Sequence, residues 1–110
     1  MKWNVIFYDR RVMKNIQDWP NHIKAKFTWI IDLIEEFGPE KIGMPHIKPM
    51  KQGLFEIRAK GSEGIGRAFF CIKKGQVIII VNGFIKKTQK TPQSELEIAR
   101  KRMKEVLSYE

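Results

Sequence analysis

The chain is poor in the residues from which metal sites and covalent nucleophiles are built. It has one cysteine, Cys71, and two histidines, His22 and His46, among 110 residues. Such a set lacks the ligand number and spacing of a zinc site, so no metal is expected, and no Ser-His-Asp or Cys-His grouping stands out. Cys71 cannot form an intramolecular disulfide, and within an apolar run it reads as a small core residue suited to a reducing compartment. No apolar run approaches the ~18 residues of a membrane span. Lys2, Asp9, Arg10 and Arg11 leave no apolar leader block near the start. The expected location is cytoplasmic, with no membrane partner. A phosphate-cradling glycine loop is missing too, because Gly61-Ser62-Glu63-Gly64-Ile65-Gly66 joins two predicted strands and opens no helix. No cofactor is expected.

Acidic residues are also scarce, 12 Asp and Glu against 21 Lys and Arg, for a formal charge of +9. That excess favours a polyanionic partner, nucleic acid above all, through counterion release and electrostatic steering. A solvated basic surface would explain the charge equally well. With 43% hydrophobic residues, 1–110 is long enough for one core and too short for two, so a single domain is expected.

Hydrophobic periodicity divides the chain. Trp3, Val5 and Phe7 alternate with Asn4 and Ile6 as a first strand. Val12, Ile16 and Trp19 mark one face of a short helix closed by Trp19-Pro20. Ile23, Phe27, Ile30, Ile34 and Phe37 mark a second helix, ended by Gly38-Pro39. Three prolines and three glycines make 38–53 a long connection, with one helical turn expected at Pro39-Glu40-Lys41-Ile42. The stretch Leu54–Lys60 alternates, with Phe55, Ile57 and Ala59 inward and Glu56, Arg58 and Lys60 sharing the other face. Strands at Arg67–Ile72 and Gln76–Asn82 complete an antiparallel meander. Val77-Ile78-Ile79-Ile80-Val81, apolar on both faces, predicts a central strand with helices on one side and other side chains on the second. Thr91-Pro92 predicts an N-cap and first residue of a last helix, with Leu96, Ala99, Met103 and Val106 buried and Arg100, Lys101, Arg102 and Lys104 on its basic remainder. The result is an α+β fold in the order β-α-α-β-β-β-α. Trp3 and Trp29 are expected in the core, and Trp19 at a helix-end contact.

The chemistry expected of this chain lies in its cations. Gly83-Phe84-Ile85-Lys86-Lys87-Thr88-Gln89-Lys90-Thr91-Pro92 reads as a basic hinge between a buried strand and a helix, a place where a rigid scaffold displays binding groups. Arg58 and Arg67 on neighbouring strands, with Lys86, Lys87 and Lys90 after the last, could grip a phosphate and stabilise the charge that develops as an RNA 2′-hydroxyl attacks it. Solvated residues on an exposed sheet face are the plain alternative. His46 has the intrinsic pKa of a general base, or is a loop residue without a role. Glu56 could act as a base or simply pair with Arg58. Lys48, Lys51, Lys60, Gln89 and Lys90 are further candidates for RNA contact. Phe84 is a candidate stacking platform, or an apolar residue finishing a core strand.

Three segments carry a family resemblance: Gly53-Leu54-Phe55-Glu56-Ile57-Arg58, then Arg67-Ala68-Phe69-Phe70, then the basic run Gly83 to Pro92 followed by an Ala- and Arg-containing helix. Together they resemble the HigB-like, phage-derived branch of the RelE/ParE toxin superfamily. The resemblance implies a RelE-like fold and a type II toxin that cleaves translated mRNA in the ribosomal A site, leaving a cyclic phosphate. It implies as partners the ribosome, mRNA and a cognate helix-turn-helix antitoxin through which the complex binds operator DNA. By similarity Arg58 and Arg67 contact the scissile phosphate, Lys86 and Lys87 form the basic pair after the strand, and His46 lies near an acid/base position. Ribosome-dependent relatives carry a tyrosine or histidine near the C-terminal end, and here none follows Lys87 until Tyr109. Two other outcomes on the same scaffold are a non-catalytic nucleic-acid- or partner-binding protein and a ParE-like gyrase inhibitor.

Overall fold

The structure, a computed structural model, describes residues 2–86 and 90–109. The first strand, β1 (Asn4–Phe7), leads to α1 (Arg10–Gln17) and α2 (Asn21–Phe37). Asp9 caps α1, its carboxylate accepting from the Val12 amide at 2.9 Å, an interaction worth about 1 kcal/mol. Gly38 ends α2 with φ 85°, and its amide donates to the Ile34 carbonyl at 2.8 Å. A 3-10 turn at Pro39–Lys41 follows, then β2 (Ile47–Pro49), β3 (Leu54–Gly61), β4 (Gly64–Lys73), β5 (Val77–Lys86) and α3 (Gln93–Leu107).

The five strands lie in the order β1-β5-β4-β3-β2, with β1 parallel to β5 and the other pairs antiparallel. The expected meander is present. The sequence pattern misses β2, which is three residues long and ends in proline, a composition tolerated only at a sheet edge. Its edge is blunted, since the Ile47 amide donates to the Gly43 carbonyl at 2.9 Å and Pro49 has no amide.

Helices cover both faces of the sheet, which corrects the expectation of one helical layer. On the first face Val12, Ile16, Trp19, Ile23, Phe27, Ile30 and Ile34 pack on Ile57, Ala59, Ala68, Phe70, Ile78 and Ile80. On the second, α3 brings Ala99, Leu96, Met103 and Val106 onto Leu54, Phe69, Cys71, Ile79 and Val81. β5 is apolar on both sides because both sides are buried, and it lies inside the sheet between β1 and β4. Trp19 is a core residue, whereas Trp29 and Phe37 are exposed. Phe37 was expected on the buried stripe, but it is the last residue of α2, where the helix ends at Gly38.

A bulge in β5 sets the geometry of the site. Phe70 pairs with Ile80 and Phe69 with Asn82, leaving Val81 as the extra residue. Side chains alternate between faces along a strand, so one extra residue exchanges them. Before the bulge, Ile78 and Ile80 belong to the α1/α2 side and Ile79 and Val81 to the α3 side. After it, Ile85 packs on the α1/α2 side and Phe84 on the α3 side. The strand also runs to Lys86, so the first four residues of the expected hinge are ladder residues.

Close approach of α1 and α2 depends on glycine in β4. A Cβ on Gly66 would lie 2.6 Å from Trp19 Cζ3 and 2.6 Å from Ile23 Cγ2, both buried side chains. Gly66→Ala is therefore expected to lower unfolding free energy by roughly 1–3 kcal/mol, the usual cost of overpacking, measured by urea denaturation. An unchanged midpoint would refute the close packing of Trp19 and Ile23 against β4.

Candidate functional site

Arg58 and Arg67 occupy directly paired positions on β3 and β4. Like charges so placed repel, and the repulsion is relieved by Glu56, two residues earlier on the same face of β3. Its fully buried carboxylate lies 3.4 Å from Arg58 Nε and 3.5 Å from Arg67 Nη1. The Thr91 hydroxyl donates to Glu56 Oε2 at 3.0 Å and accepts from Arg67 Nη1 at 3.3 Å. Thr91 is thus no helix cap: α3 begins at Gln93 behind Pro92, which makes no side-chain capping bond. Arg67 corrects the expectation of an open cation, since its side chain is only 1% exposed. Burial draws its pKa below the ordinary value and the neighbouring Glu56 opposes that shift. A guanidinium nevertheless keeps its proton.

Arg58 borders a cleft as well as this cluster. Pairing between β2 and β3 reaches Ile47 opposite Ile57, and the Arg58 amide donates to the His46 carbonyl at 2.8 Å. β3 continues to Gly61 beyond that point. Here a cleft of about 440 Å³ opens, lined by Lys26, Pro45, His46, Arg58, Lys60 and Ile65. Lys60, Ile65 and Lys86 form one cross-strand row, so Lys86 shares their face at the next strand. The bulge in β5 puts it there.

His46 stands with its ring edge-on to Trp29, centroids 5.2 Å apart at 85°. Lys26 Nζ lies 4.6 Å from the centre of the same indole. Partial burial pushes the His46 pKa below its usual 6.5, and the Lys26 charge pushes the same way. The imidazole is therefore neutral at pH 7 and able to accept a proton.

The structure thus brings together His46, Arg58 and Lys60, with Lys86 on the same face two strands away, across Ile65. Arg67 is buried opposite Arg58, and Glu56 offsets the charge of both. Lys48, exposed on β2, is opposite Glu56 in register. Lys51 and Lys90 are exposed, and the Lys51 carbonyl accepts from Arg100 Nη1 at 3.3 Å in the β2–β3 turn. Phe84 is partly buried against Phe69, ring centroids 5.9 Å apart, which favours the reading of an apolar residue finishing a core strand. Lys87 and Gln89 lie outside the described residues. Lys26 and the bridging role of Thr91 escape the sequence reading, because one falls on the polar side of a helix and the other looks like a cap. The only available hint was the three-residue spacing of Lys26 and Trp29, which places them on one helical face. Among the described residues, no three His, Cys, Asp or Glu side chains are grouped to hold a metal, and no helix is long and apolar enough to cross a membrane.

Residues 14–104 match the model of a family described as phage-derived protein, Gp49-like (DUF891). No curated protein matches the chain by sequence. Among solved structures, a chain in the crystal structure of the archaeal RelE–RelB complex from Pyrococcus horikoshii OT3 aligns with a TM-score of 0.54 at 20% identity, over 82% of this chain and all 100% of that one. The likeness is one of fold, and it bears out the RelE-like α+β architecture.

Glu56→Ala would leave Arg67 buried without its carboxylate, and is expected to destabilise the fold by roughly 3–5 kcal/mol. Thr91→Val removes one hydroxyl and is expected to cost about 1 kcal/mol. Urea unfolding of both variants checks the ranking, and comparable small losses would refute the buried cluster.

Proposed function

Because the chain belongs to the phage-derived Gp49-like family and has the RelE fold, we propose that it is the toxin of a type II toxin–antitoxin pair, an endoribonuclease cutting translated message in the ribosomal A site. The observation that carries this reading is the meeting of a neutral imidazole with three cations, Lys26, Arg58 and Lys60, around one cleft. His46 accepts the proton of an RNA 2′-hydroxyl, and the 2′-oxygen bonds to the adjacent phosphorus. The bond from phosphorus to the 5′-oxygen breaks, its electron pair leaves on that oxygen, and water supplies the oxygen's proton. The products are a 2′,3′-cyclic phosphate and a 5′-hydroxyl. Arg58 and the lysines face the phosphate as negative charge accumulates, where such electrostatic stabilisation is strongest. Lys86 extends the basic row for the neighbouring backbone. The antitoxin would be a protein partner like RelB in the RelE–RelB complex.

A second reading, a scaffold that binds nucleic acid or a partner without cutting, gains support from Glu56, whose carboxylate opposes the charge of both Arg58 and Arg67. Tyr109 does not resolve the choice in favour of cleavage. It follows α3, which starts near Glu56 and is 15 residues long, so it lies about 22 Å further along the helix axis at 1.5 Å per residue.

Expression in a bacterium with 5′-end mapping of transcripts tests the nuclease. Codon-phased cuts are expected, falling about 10²–10³-fold with Arg58→Ala, as when one donor to a developing oxyanion is removed. Stable message with normal growth would support the non-cutting scaffold. In a purified translation system, His46→Gln is expected to slow cutting by about 10²–10⁴-fold. The wild-type rate should hold above pH 6.5 and decline as acid protonates His46 at its lowered pKa. A flat profile through that region would exclude His46 as the base.

A further inference from the structure

Trp29 is the feature that neither the core nor the proposed cleavage step uses. It is 46% exposed on a helix whose neighbouring Phe27 and Ile30 are buried. Leaving nearly half of an indole in water forgoes part of the gain that burial would bring. The ring touches two side chains that line the cleft, Lys26 over its face and His46 edge-on.

We propose that the Trp29 indole is a nucleobase-binding platform of the cleft, on which a base of single-stranded RNA stacks in the place that the Lys26 ammonium holds. The site rests on the reading of the cleft as an RNA site and adds a base subsite to it. An exposed cation–π contact favours the pair by only about two- to fivefold. Stacking of a base on an aromatic side chain strengthens binding by roughly 5- to 150-fold. The base therefore wins the indole face, and the displaced ammonium, on a long flexible stem, becomes available to a phosphate. His46 and Arg58 stand at the same cleft, so a nucleotide whose base rests on Trp29 carries its phosphate toward them. The contact is made to a π face and not to base edges, so it orders the strand with little preference for sequence.

The test uses the full chain and a fluorescent single-stranded DNA decamer, which lacks the 2′-hydroxyl and is not cut, beside an all-abasic strand with the same backbone. Trp29→Ala is expected to weaken decamer binding about tenfold, within the range for one stacked base, and to leave abasic binding unchanged. Trp29→Phe, which keeps a ring, should recover most of the loss. Circular dichroism verifies that the variants stay folded, as the exposure of Trp29 leads one to expect. Equal loss on both strands, or none on either, overturns the platform, and the second result leaves the indole as a protein-docking residue. Absence of wild-type binding overturns it too. Transcript mapping separates this inference from the nuclease reading: intact message with Trp29-dependent decamer binding removes the nuclease and keeps the platform. Codon-phased cutting with Trp29-independent binding does the reverse.

Discussion

Two guanidinium groups on facing positions of adjacent strands need an anion between them, and Glu56 is that anion. Its carboxylate is fully buried and lies within 3.5 Å of both Arg58 and Arg67. The arrangement works because all three side chains point to the same face, a result of the two-residue period of β3 and of the register that sets Arg58 opposite Arg67. Thr91 then ties the start of the last helix to that anion. The second face of the sheet thus changes character along its length, from the apolar contacts of Leu54, Cys71 and Ile79 to a charged cluster beneath the approach to α3. Such a cluster gives little net stability, yet it is intolerant of losing one member.

The cleft depends on a different part of the chain. Its imidazole comes from the connection before β2, its guanidinium and one ammonium from β3, and another ammonium from α2. The carbonyl of His46 is fixed to the Arg58 amide, so the backbone that carries the candidate base is coupled to the strand that carries the candidate phosphate ligand. Trp29 and Lys26 link the same point to the helix layer. The arrangement draws three elements to one edge of the sheet.

Periodicity was a reliable guide where one face is buried. The stripes Ile23-Phe27-Ile30-Ile34 and Leu96-Ala99-Met103 and the alternation of β3 all lie as their spacing indicates. The pattern was silent on β2, whose three residues are too few to show a period, and on the bulge, which alternation alone cannot locate. It placed Trp29 in the core because size and apolarity argue for burial, while exposure here follows from tertiary position. Arg58, Lys60 and His46 could be nominated from charge and residue type. The burial of Arg67 could not, because it depends on which carboxylate folds over it. Thr91 shows the same limit: a Thr-Pro pair before a helix has capping chemistry, and a buried carboxylate 35 residues earlier in sequence competed successfully for its hydroxyl.

The bulge at Val81 separates β5 into two parts that answer to different demands. Upstream, successive side chains are held in turn by the α1/α2 layer and the α3 layer. Downstream the parity is reversed: Gly83 and Ile85 turn to the α1/α2 layer, Asn82 and Phe84 to α3, and Lys86 to the row of Lys60 and Ile65. A single extra residue therefore acts as a joint, letting one strand feed both apolar layers and then deliver a cation to the face that carries Lys60.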